Sequence, residues 1–193
     1  NGASMCALKS RRSVATSMGF TALDGLIMGQ RCGALDAGVV LHLLQQHHLS
    51  PAAIEHMLYN ESGLKGVSGI SNNMQVLTTS THPHAQQAID LFCYRAAREL
   101  SSLVCAIDGI DAIVFTAGIG EHSALVRERI CGHLGWLGVA LDPIANQHHH
   151  SVISPVKFPI TTLVIPTDEE SVIAQSTLAL MYDSTDSKEI HHA

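Results

Sequence analysis

The apolar run Ala112-Ile-Val-Phe-Thr116 passes without a break into Ala117-Gly118-Ile119-Gly120-Glu121, and a helical pattern continues from Ser123 to Leu134. That order of buried strand, glycine loop and helix is a phosphate-binding geometry, because glycine lets backbone approach an anion while helix N–H groups face it. The pattern recurs once. Thr161-Thr-Leu-Val-Ile-Pro166 predicts a second strand, and Thr167 or Asp168 is placed to cap a helix through Glu169 and Glu170 to Leu180. A chain built from such units is α/β, and ligands gather at the carboxyl ends of its strands.

The remaining segments read as scaffold. Apolar stretches at Ser4–Leu8 and Ser13–Ser17 flank Lys9-Ser-Arg-Arg12 and predict a β-hairpin. Five glycines between Gly19 and Gly38 mark an irregular region that carries Arg31. Helical spacing continues over Val39–Leu49 and over Ser50–Leu58, the second with Ser50 as N-cap and Pro51 at the first helical position. Lys65–Gln75 reads as a loop. His84–Ile107 is the longest helix expected, with Ala88, Leu91, Phe92, Ala96, Leu100, Leu103 and Val104 near the 3.6 period. Residues 1–182 form one domain, and a polar tail occupies 183–193.

Composition narrows the function classes. Hydrophobic residues at 46% and charged residues at 15% of 193 exclude a disordered chain. A formal charge of -6 argues against a broad electrostatic nucleic-acid surface, so any basic residue that matters acts singly. Neither a membrane-spanning run nor a signal peptide is read, which predicts a soluble, cytoplasmic protein. Five cysteines without a Cys-x-x-Cys pair read as reduced core thiols. His148, His149 and His150 sit together, but consecutive side chains diverge and no acidic cluster accompanies them, so a metal site there is disfavoured.

Each motif has two readings. The Gly118-x-Gly120 pair lacks the third glycine of a dinucleotide fingerprint, Ser123 standing in its place, so a Rossmann cofactor is not expected. The carboxylates of Asp168, Glu169 and Glu170 could orient water around Mg²⁺ or simply cap a helix. Arg31 could grip a carboxylate or phosphate bidentately, or be a surface arginine. Arg127 reads as a surface residue.

Taken with Asn1-Gly-Ala-Ser, Thr16-Ser-Met-Gly-Phe-Thr, Met28-Gly-Gln-Arg-Cys-Gly33, Phe115-Thr-Ala-Gly-Ile-Gly-Glu121 and Ile165-Pro-Thr-Asp-Glu-Glu170, the chain resembles the acetate kinases and their propionate kinase relatives. The resemblance covers nearly all of this chain but only the C-terminal, nucleotide-side half of the family. It implies a ribonuclease-H-like domain of the actin-like ATPase and sugar-kinase superfamily, a mixed sheet flanked by helices. It further implies a Mg²⁺-dependent, reversible transfer of phosphoryl from ATP to acetate or propionate, giving ADP and an acyl phosphate, in a homodimer. By resemblance, Asn1 and Gly2 end a phosphate loop, Gly118, Ile119 and Gly120 form the nucleotide loop, Glu169 is linked to Mg²⁺, and Arg31 steadies the acyl group and the transferring phosphoryl.

Departures from the family pattern set further expectations. Asn73-Met74-Gln75 stands where Asp-Phe-Arg is usual beside the adenosine, which removes both charges. An Asn, an Arg, a His and an Asp that the family's first domain supplies have no counterpart here. The strand expected before Asn1 would lie between the segments Ser4–Leu8 and Ala112–Thr116. The isolated chain is therefore expected to be inactive as a fragment. The alternatives are a kinase for another short acid and a non-catalytic nucleotide-binding or assembly module.

Overall fold

A computed structural model describes residues 2–186; Asn1 and residues 187–193 lie outside the described residues, and with them the expectations for Asn1 and for most of the tail. Strands β1 (Cys6–Lys9) and β2 (Arg12–Thr16) form the expected antiparallel hairpin, turning through Ser10 and Arg11 with φ of 52° and 63°. No regular element occurs from 17 to 36, yet this irregular region buries Leu26, Ile27 and Met28. Helix α1 (Ala37–Gln45) starts where the Asp36 carboxylate accepts the Gly38 N–H at 2.7 Å. In α2 (Pro51–His56) the Ser50 hydroxyl caps Ala53 N–H at 3.2 Å and Pro51 takes the first position, as the sequence predicts. A π-helical turn, Met57–Glu61, continues it.

The predicted loop over Lys65–Gln75 is instead mostly helical. Helix α3 (Gly63–Ser68) begins and ends on glycines of positive φ, Gly63 and Gly69, both at 64°. Helix α4 (Met74–Thr79) is capped by Asn73, whose side-chain oxygen accepts Gln75 N–H at 2.8 Å. Elements of six residues are too short to display a period, so glycines and caps were the sole signal.

Helix α5 (Pro83–Ala106) is the spine. Ala85, Ala88, Ile89, Phe92, Cys93, Ala96 and Ala97 repeat at three and four residues and are buried, while Leu91 and Leu100 only rim this stripe. On it pack α3, α4, the hairpin and α7 (Ala124–Gly132). Strands β3 (Ala112–Phe115) and β4 (Thr161–Val164) pair in parallel, Ala112 opposite Thr161 and Phe115 opposite Val164. Burial of β3 alternates rather than being continuous: Ile113 and Phe115 face the core and Val114 is 50% exposed. Helix α6 (Ala117–His122) precedes α7, a 3₁₀ turn (Gly135–Leu137) and α8 (Pro143–Gln147) precede β4, and α9 (Glu169–Asp186) comes after it.

The architecture is therefore α/β with both pairing senses, as expected, in two separate strand pairs flanked by helices. Among the described residues, β1 and β3 share no ladder. No helix there is long and apolar enough to cross a membrane.

Candidate functional site

Because β3 and β4 run in parallel and in register, their carboxyl ends emerge side by side, joined by Ile165 N–H donating to the Phe115 carbonyl at 2.9 Å. The turns leaving the two strands therefore meet. The Thr167 hydroxyl accepts Ala117 N–H at 2.9 Å and donates to Glu121 Oε1 at 2.9 Å, which leaves Thr116 as donor in the 2.6 Å contact between the two hydroxyls. Thr167 N–H also reaches Glu121 Oε1 at 2.9 Å. The Thr167 N–H and then its hydroxyl hold the Glu121 carboxyl below its usual pKa. Asp168, rather than Thr167, caps α9 by accepting Ser171 N–H at 3.1 Å, and its bonds to Ser171 lower its own pKa.

The expected glycine loop is a short helix, a correction with a plain cause. Gly118 and Gly120 take ordinary negative φ, and the left-handed residue that turns the chain out of β3 is Ala117, at φ 58°. Each glycine is needed for a different reason. A Cβ on Gly120 would lie 3.3 Å from the Phe115 carbonyl carbon, so glycine lets α6 sit down on the strand end. A Cβ on Gly118 meets nothing within 4 Å. There a side chain would project into open space.

That space is two neighbouring clefts. The larger, about 620 Å³, brings Gly2 and Ala3 together with Met28, Gly29, Asn73, Met74, Gln75, Gly118, Ile119 and His122. The second, about 510 Å³ and open to solvent, is lined by Ala117, Gly118, Glu121 and the run Thr167–Glu170. Gly118 is the wall they share. The larger is neutral apart from what His122 contributes; the smaller is acidic.

Of the residues singled out from sequence, Gly2, Gly118 and Ile119 thus converge on the larger cleft and Glu169 lines the acidic one, while Gly120 supports α6 from behind. Arg31 lines neither. Its guanidinium donates to the Ala22 carbonyl at 3.2 Å and lies 3.6 Å from the Met28 sulfur. Its loop is held by Leu64 N–H on the Met28 carbonyl at 2.9 Å and Lys65 N–H on the Gly29 carbonyl at 3.0 Å. Gly63 makes this possible, since a Cβ there would overlap the Met28 carbonyl oxygen. The fit of the carboxylates to Mg²⁺ depends on their partners. Those of Glu169 and Glu170 make no hydrogen bond or ion pair among the described residues, and no three His, Cys, Asp or Glu there converge on a metal position. Free carboxylates at an open cleft fit an ion that keeps several waters and takes its other ligands from phosphate.

Arg127 corrects the surface reading: it is fully buried. It donates through Nη1 to the carbonyls of Gly120 and Glu121 at 2.8 and 2.9 Å, and through Nε and Nη2 to the side-chain and main-chain oxygens of Asn146 at 2.7 Å each. No spacing links 127 to 146, so the sequence carried no signal for this pair. Of the three consecutive histidines only His149 turns away, toward Arg127; His148 and His150 stack at 6.0 Å, against the expectation that all three diverge. The thiols also divide: Cys93 and Cys131 are buried, but Cys6 and Cys105 are exposed, against the core reading.

A parallel strand pair with helices on it and clefts at its carboxyl ends defines an α/β domain with a candidate ligand site, and comparison with known proteins gives it a family. The model of the Acetokinase family matches residues 1–175, and the chain belongs to that family. An acetate kinase of Rhodopseudomonas palustris is 55% identical over 90% of this chain and 44% of its own length; one of Nitrobacter hamburgensis is 51% identical over 99% and 47%. Among solved structures, Porphyromonas gingivalis acetate kinase superposes with a TM-score of 0.88 at 33% identity, covering 94% of this chain and 47% of its own. A propionate kinase from Francisella tularensis gives 0.86 at 35%, covering 91% and 46%. The chain spans about half the length of the relatives it matches.

Proposed function

We propose that this chain is the nucleotide-side half of a kinase that moves the γ-phosphoryl of MgATP to acetate or propionate, reversibly. The observation that carries this reading is the shared wall at Gly118. A nucleotide lying across it would place its base and ribose beside Asn73, Met74 and Gln75 in the neutral cleft and carry its phosphates past Gly2 toward the acidic one. A carboxylate oxygen attacks the γ-phosphorus in line, the bond from that phosphorus to the bridging oxygen breaks, and ADP leaves with the electron pair. Such a transfer needs positioning and charge neutralisation rather than a covalent nucleophile. Bound Mg²⁺ would be linked to Glu169 and would offset charge on the phosphates. Gly2, Gly118 and Ile119 bind the nucleotide with Asn1, and Gly120 keeps α6 against β3. Arg31 steadies the acyl group once it exchanges its single carbonyl bond at Ala22 for substrate. The homodimer and a first domain that completes the carboxylate site rest on the family likeness alone, and the cytoplasmic location on the sequence reading.

A second reading, a non-catalytic nucleotide-binding or assembly module, is favoured by Arg31 lining neither cleft and by the uncharged Asn73-Met74-Gln75 in the larger one. A coupled ADP assay with acetate, propionate and butyrate on the full-length protein separates the two. The kinase reading expects turnover, a fall of about 10²-fold in kcat for Arg31→Ala, and negligible turnover by the 193-residue chain alone. Binding of MgATP by the full-length protein without turnover of any of the three acids would overturn the acetate or propionate kinase reading.

A further inference from the structure

A buried guanidinium with no carboxylate beside it is costly, and an apolar side chain of similar volume would pack at least as well, so its presence asks for a reason beyond stability. All five N–H groups of Arg127 have an acceptor: Asn146 Oδ1, the Asn146 carbonyl, the Gly120 carbonyl, the Glu121 carbonyl and His149 Nδ1, the last at 3.0 Å. None is a carboxylate. His149 Nδ1 also lies 2.9 Å from the Glu121 carbonyl, but arginine can only donate, so while Nδ1 accepts from Arg127 it carries no proton for that carbonyl. Asn146 is fixed in turn by donating to the Ala124 carbonyl at 2.9 Å. Three of these acceptors belong to α8 and the turn after it; the other two are among the final carbonyls of α6, which a short helix leaves without internal partners.

We propose that Arg127 is a positioning residue for α6. By gripping the Gly120 and Glu121 carbonyls from behind, it sets the pose of the segment that presents Gly118 and Ile119 to the larger cleft and the Glu121 side chain to the acidic one. Its grip takes the last carbonyls of this short helix, while Thr167 takes the first N–H, at Ala117, and the Glu121 side chain. The inference deepens the kinase reading and rests on it for its consequence in turnover. Lysine, with three donors on one nitrogen, cannot span carbonyls, amide and imidazole together.

The test uses Arg127→Lys and Arg127→Met in the full-length protein, with hydrogen exchange resolved by segment and both Michaelis constants measured. Faster exchange confined to 117–122 and 146–149, with α5 still protected, is expected. KM for MgATP should rise by about tenfold, the scale of a lost hydrogen bond to a charged group, while KM for the carboxylate stays within about twofold. Lysine should exchange and bind between arginine and methionine; if the methionine variant does not fold, the lysine variant decides. Unchanged exchange at 117–122, or both constants rising together with a lowered Tm, would overturn the proposal. The exchange measurement needs no turnover, so a protein that neither binds nor turns over MgATP would refute the kinase reading and leave the role of Arg127 in holding α6 still decided by exchange.

Discussion

A methyl group at Gly120 would press on the Phe115 carbonyl carbon at 3.3 Å, and one at Gly118 would touch nothing. The two substitutions should therefore part company. Gly120→Ala overpacks the strand end, and a cost of about 1–3 kcal/mol would lower Tm by roughly 2–10 °C. Gly118→Ala is expected to keep Tm or raise it by up to about 3 °C, since alanine favours a helix, and yet to weaken MgATP binding by about tenfold through the space it fills. Calorimetric melting and titration of each variant check this. Glu121 adds a pH dependence. Its folded-state pKa is lowered by Thr167, so the folded chain holds fewer protons, and the stability it contributes is full above the ordinary carboxylate value and lost as pH falls through the folded one. Glu121→Gln should accordingly differ from the parent in urea midpoint at about pH 6, and the difference should shrink as pH falls through the lowered folded-state value. Of these residues, Gly118 and Gly120 were legible because strand followed by Gly-x-Gly is a local pattern. The side-chain partnership of Glu121 with Thr167 was not, because it joins turns brought together only by strand pairing.

At the scale of elements, α5 and α7 pack together, with the Cys93 sulfur 3.9 Å from the Val126 carbonyl and Arg129 donating to the Asp90 carboxylate at 2.7 Å. Burial pushes both Cys93 and Cys131 up to about 12. Thiolate is the reactive form, so iodoacetamide at about pH 8 should label Cys6 and Cys105 and spare Cys93 and Cys131 until denaturant is added. Peptide mass spectrometry reads the outcome. Labelling of Cys93 or Cys131 at the rate of Cys105 would mean that the α5–α7 contact opens readily. The spine itself was legible, since α5 is long enough for its apolar stripe to repeat from Ala85 through Ala97. Helices α3, α4 and α6 were not: six residues each, opened by Gly63, Asn73 and a left-handed Ala117, they look like loops until tertiary packing holds them.

For the molecule as a whole, the class of fold and the place of its clefts were legible from two strand-to-helix transitions, whereas the division of the four strands among the described residues into two pairs was not, because nothing local records which strand lies beside which. Arg127 with Asn146 was hidden for the same reason. The pairing of β3 with β4 has a further effect, one of timing. Ala112 cannot lie against Thr161 until the chain carrying α6, α7 and α8 has been drawn into a closed loop, and loop entropy is lost before any ladder bond forms. Helical hairpins such as α3 to α5 need no such closure. On refolding from denaturant, far-UV ellipticity should recover first and the capacity to bind MgATP last, separated by a lag that stopped-flow resolves. During that interval the chain would hold most of its helices and none of the floor that β3 and β4 give the two clefts, so on the proposed reading a newly made molecule would become competent for nucleotide only as its final event of folding.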